Sequence, residues 1–162
     1  MGLYSDASSG TDQIVGKRLR PRVLVVEDSE VFRYILRTLF EQAGFDYFDA
    51  RDGVEGVEVF DRTRPDIVFT DYNMPRMNGL GLISAIRRNA AGRSVPIFVL
   101  SSEPAKAPRG DILDAGANGW IDKPFEPAAL VNISRCLIKS QSRVNRRPKQ
   151  RGLNIPPLQT RD

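Results

Sequence analysis

Along the chain, short unbroken apolar runs alternate with stretches whose apolar residues recur at three- and four-residue spacing. Arg22-Val23-Leu24-Val25-Val26 is the first run, the pattern of a strand buried on both faces. It ends in Glu27-Asp28-Ser29, where Asp28 or Ser29 can cap a helix. Val31, Phe32, Ile35, Leu36, Leu39 and Phe40 follow at helical spacing up to Gly44. Phe45 to Ala50 is a more polar strand suited to a sheet edge, and Val54, Val57 and Phe60 mark a second helix. Ile67-Val68-Phe69-Thr70 is another buried run ending at Asp71, followed by a loop rich in Pro, Asn and Gly through Gly79. Leu80, Leu82, Ile83 and Ile86 begin a third helix, and Pro96 to Leu100 forms a strand ending at Ser101. Pro104, Pro108 and Gly110 crowd the fourth helix, which predicts a short one with Pro108 near its start. Asn118 to Asp122 is the last strand, before Lys123-Pro124-Phe125, and Leu130, Ile133 and Leu137 mark a final helix.

Repeated strand–helix alternation implies right-handed crossovers and an α/β fold, a doubly wound five-stranded parallel sheet with helices on both faces. Ligands of such sheets bind beyond the carboxyl ends of the strands. The residues ending the strands are therefore where chemistry is expected. They are Glu27-Asp28, Asp71, Ser101-Ser102 and Lys123.

Composition narrows the chemistry. The 162 residues hold no histidine and a single cysteine, Cys136. That excludes Ser-His-Asp and Cys-His catalysis, His-ligated zinc, an internal phosphohistidine and an internal disulfide framework. Cys136 lies in an apolar helical pattern and reads as a small packing residue. No apolar run is long enough to span a membrane, and no secretory signal precedes the body, so a cytosolic location is expected.

The net charge of +4 is unevenly spread. Residues 1–21 carry three basic and two acidic side chains, residues 22–138 carry 14 and 17, and residues 139–162 carry seven and one. A mildly acidic body thus bears a basic tail. The expected organisation is a flexible leader over 1–20, one domain over 21–139 and a disordered basic tail over 140–162. The tail has no Phe, Tyr or Trp to stack on bases, so nucleic acid is not an expected partner.

Carboxylates converging at one sheet edge repel unless something neutralises them. Mg²⁺ suits that task, since it prefers a few carboxylates together with water and phosphate oxygens, and Mn²⁺ is an alternative. Asp71 is then a candidate nucleophile toward phosphorus, Lys123 a counter-charge for phosphoryl oxygens and Ser101 a hydroxyl donor to one of them.

At these residues the sequence resembles the receiver domain of two-component response regulators, over about residues 21–139. Glu27-Asp28 matches the acidic metal pair, Asp71 the phosphoacceptor and Asn73 the position whose backbone carbonyl completes the metal shell. Met74-Pro75 and Gly79 match the following loop, Ser101 the switch hydroxyl and Lys123-Pro124-Phe125 the Lys-Pro-Phe motif. The resemblance implies a flavodoxin-like (βα)5 fold with strand order 2-1-3-4-5 and a cis Lys123–Pro124 peptide. It implies an aromatic switch at Trp120, and in Asn73 with Glu103 the pairing of the chemotaxis regulator that tunes dephosphorylation. A stand-alone, chemotaxis-regulator-like switch follows, phosphorylated by a separate histidine kinase or histidine phosphotransfer protein. Its downstream protein target would be met through the fourth helix, fifth strand and fifth helix.

Two rival functions are open to the same residues. A hydrolase working through an aspartyl-phosphate would want a second Asp two residues after the first, where this chain has Asn73. A receiver fold that never phosphorylates and acts only by binding proteins is the other. Asn73 argues against a multiple-turnover enzyme, and the intact acid, hydroxyl and lysine set argues against a receiver that never phosphorylates.

Overall fold

The computed structural model describes residues 13–14, 17–103 and 108–144. The main body alternates β1 (Arg22–Val26), α1 (Glu30–Gln42), β2 (Asp46–Ala50), α2 (Gly53–Thr63), β3 (Ile67–Asp71) and α3 (Gly79–Arg88). It continues with β4 (Ile97–Ser101), α4 (Arg109–Asp114), β5 (Gly119–Asp122) and α5 (Pro127–Val144), with a 3₁₀ turn at Ala90–Gly92 after α3. The five strands form one sheet in the order β2-β1-β3-β4-β5, every pair parallel.

The strands are unbroken apolar runs because both faces are buried. Val23 and Val25 join Ile67, Phe69 and Leu100 under Leu36 and Phe40 of α1 and Leu130 and Val131 of α5. Leu24 and Val26 join Val68, Ile97 and Val99 under Val59 and Phe60 of α2, Leu82, Ile83 and Ile86 of α3 and Ile112 of α4. Side chains alternate between faces along each strand, so a doubly covered sheet needs unbroken apolar runs. The edge strand β2 is only half-buried apart from Ala50, consistent with its Asp46 and Asp49.

Helix starts are set by capping. Ser29, Asp52 and Asn78 accept the backbone N–H of Phe32, Glu55 and Gly81 at the starts of α1, α2 and α3. Helix α4 differs from these three: Pro108 precedes it, no side chain caps it and it spans six residues.

Several sequence expectations change. Val31 and Ile35 were grouped with the apolar stripe of α1, yet both are exposed; the buried side is carried by Leu36 and Phe40. Cys136 is exposed and is not a packing residue. The inward stripe of α5 is set by Leu130, Val131 and Ser134, and at about 100° per residue Cys136 falls on the opposite side, about 160° from its centre. Helix α5 also runs past the boundary expected at residue 139, reaching Val144. No Gly or Pro interrupts it there, and the Ser140 and Ser142 hydroxyls donate back to the Cys136 and Ile138 carbonyls. Of the tail expected over 140–162, residues 145–162 lie outside the described residues, as does most of the leader. At the leader's end, Gln13–Ile14 pairs antiparallel with Lys17–Arg18, and Arg18 and Arg20 form ion pairs with Asp66 and Asp46. Among the described residues no helix is long and apolar enough to cross a membrane.

Candidate functional site

Strand register assembles the site. Val26 pairs with Thr70, Asp71 with Leu100 and Ser101 with Asp122, so the chain leaves β1, β3, β4 and β5 at one level. Glu27 and Asp71 follow the parity of Val25 and Phe69, and Lys123 that of Ile121, all on the α1–α5 face. Ser101 shares the parity of Ile97 and Val99 on the other face. The strand ends thus present acids and a lysine on one side of the sheet plane and a hydroxyl on the other.

Three carboxylates meet here. Glu27, Asp28 and Asp71 each offer an oxygen, all within 4.8 Å of one another. Glu27 is 1% and Asp71 6% exposed, whereas Asp28 is exposed. The Lys123 ammonium donates to Glu27 Oε2 at 2.8 Å and lies 3.8 Å from Asp71 Oδ2. It also sits over the Phe32 ring, 4.9 Å from its centroid. Glu27 Oε1 accepts the Ser29 N–H at 3.3 Å, and Asp71 Oδ1 accepts the Tyr72 N–H at 2.8 Å.

Burial dominates the electrostatics. It pushes the Glu27 carboxyl up from the ordinary range, with Lys123 acting in the opposite direction and the Asp71 charge adding to the rise. Asp71 is also raised chiefly by burial, against the pull of Lys123 and of the Tyr72 N–H. Three acids facing one ammonium leave two uncompensated negative charges, the charge of one divalent cation. The donors are all carboxylate oxygens, so the set fits a hard ion such as Mg²⁺.

The neighbours fix Asp71 in place. The Thr70 hydroxyl donates to the Asp71 carbonyl at 2.9 Å. Gly79 packs so closely that a Cβ there would lie 2.5 Å from that same carbonyl oxygen, while its N–H donates to Tyr72 O at 2.8 Å. The Lys123 N–H donates to the Ser101 carbonyl at 2.7 Å, joining the hydroxyl-bearing and lysine-bearing strand ends, and the Lys123–Pro124 peptide is cis.

Three further predicted residues lie on the loops and strand around the charge cluster. Asn73 is exposed in the loop after β3, and Glu103 is exposed in the segment leaving β4. Trp120 is partly buried against the α2–α4 face, with the Arg109 guanidinium 4.7 Å from its ring centroid. Arg109 also donates to both carboxylate oxygens of Asp122, at 3.1 and 3.4 Å. Phe32, Thr70, Arg33 and Arg109 carry no signal in the sequence that marks them as neighbours of the site. Phe32 and Thr70 look like ordinary core residues there, and the two arginines carry no motif.

A parallel doubly wound sheet with an acid cluster and a lysine at its carboxyl edge is the architecture of a signalling receiver domain. The family model described as the response regulator receiver domain matches residues 23–135, and the chain belongs to that family. Chemotaxis protein CheY1 of Helicobacter pylori is 37% identical over 111 residues, covering 67% of this chain and 90% of the relative. The solved chemotaxis response regulator CheY4 of Vibrio cholerae is 30% identical with a TM-score of 0.63, covering 77% of this chain and 98% of its own. The receiver domain of sensor histidine kinase PA1611 from Pseudomonas aeruginosa is 29% identical with a TM-score of 0.68, covering 74% and 98%. That structure has a magnesium ion coordinated in its active site cleft. Accepting a phosphoryl group is the general function of the family to which this chain belongs.

Proposed function

We propose that this chain is a Mg²⁺-dependent phosphoryl switch whose acceptor is Asp71. The observation that carries the reading is the burial of Asp71 beside Glu27, Asp28 and Lys123, an excess of negative charge that a divalent cation balances. Glu27, Asp28 and Asp71, with the backbone carbonyl of Asn73, would hold the ion. When bound, it offsets negative charge between the acids and the incoming phosphoryl oxygens.

The donor is a phosphohistidine of a histidine kinase or phosphotransfer protein, since the chain has no histidine of its own. An Asp71 carboxylate oxygen attacks phosphorus as the phosphorus–nitrogen bond breaks, and the electron pair leaves with the imidazole. Lys123, already within reach of Asp71, takes a phosphoryl oxygen as a point-charge partner. The Ser101 hydroxyl donates to another. Loss of the phosphoryl group is hydrolytic and leaves the phosphoryl state short-lived, tuned by Asn73 and Glu103 at the exposed loop positions. Output passes through a rearrangement around Trp120 that a downstream protein reads on the α4–β5–α5 face. The setting is cytoplasmic.

Intact-mass spectrometry after treatment with a small acyl phosphate and MgCl₂ tests the assignment. Wild type is expected to gain one phosphoryl group and Asp71→Asn none. Equal gain by both would reject Asp71 as the acceptor.

A further inference from the structure

We propose that Arg33 is a positioning residue for the metal pair: it fixes the backbone of Glu27 and Asp28 so that their carboxylates stay aimed at the cation site. The inference rests on the metal reading given above. A single Arg33 nitrogen, Nη1, donates to the Glu27 carbonyl at 2.7 Å and to the Asp28 carbonyl at 3.1 Å. These consecutive carbonyls belong to two of the three residues in the acid cluster.

The guanidinium is itself held. Its Nε lies 3.8 Å from Asp49 Oδ2 on β2, and its side chain is only 18% exposed. Its own carbonyl accepts the Tyr47 hydroxyl at 3.0 Å, and its N–H donates to Ser29 O at 3.0 Å. Arg33 thus spans from α1 to β2 across the loop that carries the acids.

The loop needs that grip. The Glu27 N–H is tied to Ala50 O at 3.0 Å, which fixes the start of the turn. Asp28 is exposed, and its carbonyl is held by Arg33. Backbone rotation at Asp28 would swing its carboxylate away from Glu27 and Asp71. The Arg33 bonds go to the backbone carbonyls, so it supports the turn without competing for the carboxylate oxygens that a cation would use. Partners of this kind, one step removed from the metal, typically change metal affinity by about 10–100-fold when removed.

Arg37 is a natural control. It donates to the same Asp49 carboxylate at 2.9 Å, but its bonds are to Asp49 and not to the Glu27-Asp28 turn.

The test is equilibrium titration of the full-length chain with MgCl₂, followed by calorimetry and by Mg²⁺-dependent thermal shift. The proteins are wild type, Arg33→Ala, Arg33→Lys and Arg37→Ala. Arg33→Ala is expected to weaken Mg²⁺ binding about 10-fold or more, and Arg37→Ala less than about 2-fold. Arg33→Lys, which can still reach a carbonyl, should fall between them and serves if the alanine variant does not fold. A lowered melting temperature with unchanged Mg²⁺ affinity in both Arg33 variants would overturn the inference and leave Arg33 a structural tie. Failure of the wild type to bind Mg²⁺ would overturn the underlying metal reading, and this inference with it.

Discussion

Replacing Asp71 by Asn should stabilise the metal-free protein, even though it removes the proposed acceptor. Three pairwise electrostatic contributions nearly cancel, and the cost of burying the carboxylate decides the sign. Repulsion from Glu27, at 4.8 Å or less, is about 3.5 kcal/mol or more at an effective dielectric of about 20. Attraction to Lys123 at 3.8 Å is about 4 kcal/mol on the same scale, so these two nearly cancel. Asp28 is exposed, and solvent screening reduces its repulsion to about 1 kcal/mol. What remains is the cost of holding an ionised carboxylate at 6% exposure, a few kcal/mol that an amide largely avoids. The Asn carbonyl oxygen can still accept the Tyr72 N–H, so that hydrogen bond survives. The net expectation is a gain of about 1–2 kcal/mol, or about 3–8 °C in melting temperature. Thermal unfolding in EDTA at pH 7 measures it.

Two further measurements separate this cause from others. The folded-state pKa of Asp71 is raised, so the contribution of this group is most favourable below its unfolded value and is lost as pH rises through the folded one. The gap between Asp71→Asn and wild type should therefore close as the pH is lowered from 7 toward about 4. Added MgCl₂ should raise the wild-type melting point more than that of the variant, because an ion that binds only the native state stabilises it by mass action. A variant that melts below wild type in EDTA, with a gap that widens on acidification, would refute the reasoning.

Lys123→Ala leaves Glu27 buried without its ammonium partner and should cost about 2 kcal/mol in urea unfolding at pH 7, recovered in part at lower pH as Glu27 takes up a proton. Gly79→Ala sets a Cβ against the Asp71 carbonyl; a loss of about 2 kcal/mol or more is expected, together with a slower gain of phosphoryl mass from a small donor. Arg109→Ala uncovers the face of Trp120, the only tryptophan, so its emission should shift to the red and acrylamide quenching should increase.

The fold was legible because a sheet buried on both faces writes itself as unbroken apolar runs. Ile67-Val68-Phe69 could be placed with no knowledge of its neighbours. The site was legible for the related reason that a polar residue ending such a run must emerge at the sheet edge, as Glu27, Asp71, Ser101 and Lys123 do. Periodicity failed where it could not tell a buried stripe from an exposed one. Val31 and Ile35 continue the helical spacing of α1 but face solvent, and Cys136 stands among apolar neighbours on the outer side of α5. Contacts made between separate elements were invisible. Nothing in the spacing of Phe32, Arg33 and Asp49 tells that one ring lies beneath Lys123 or that the guanidinium reaches two carbonyls and a neighbouring strand.

Helix α4 has a mechanical consequence. It is six residues long, has no side-chain cap at its start and contributes one deeply buried side chain, Ile112. Helix α3, by contrast, is capped by Asn78 and buries Leu82, Ile83 and Ile86. Local opening free energies follow such differences, so α4 amides should exchange with deuterium well before those of α3. A rearrangement beside Trp120 would then draw on an element already close to its own melting equilibrium, while both sides of the sheet stay clamped by their cores. Among the described helices α4, about a turn and a half long, is then the one expected to yield first.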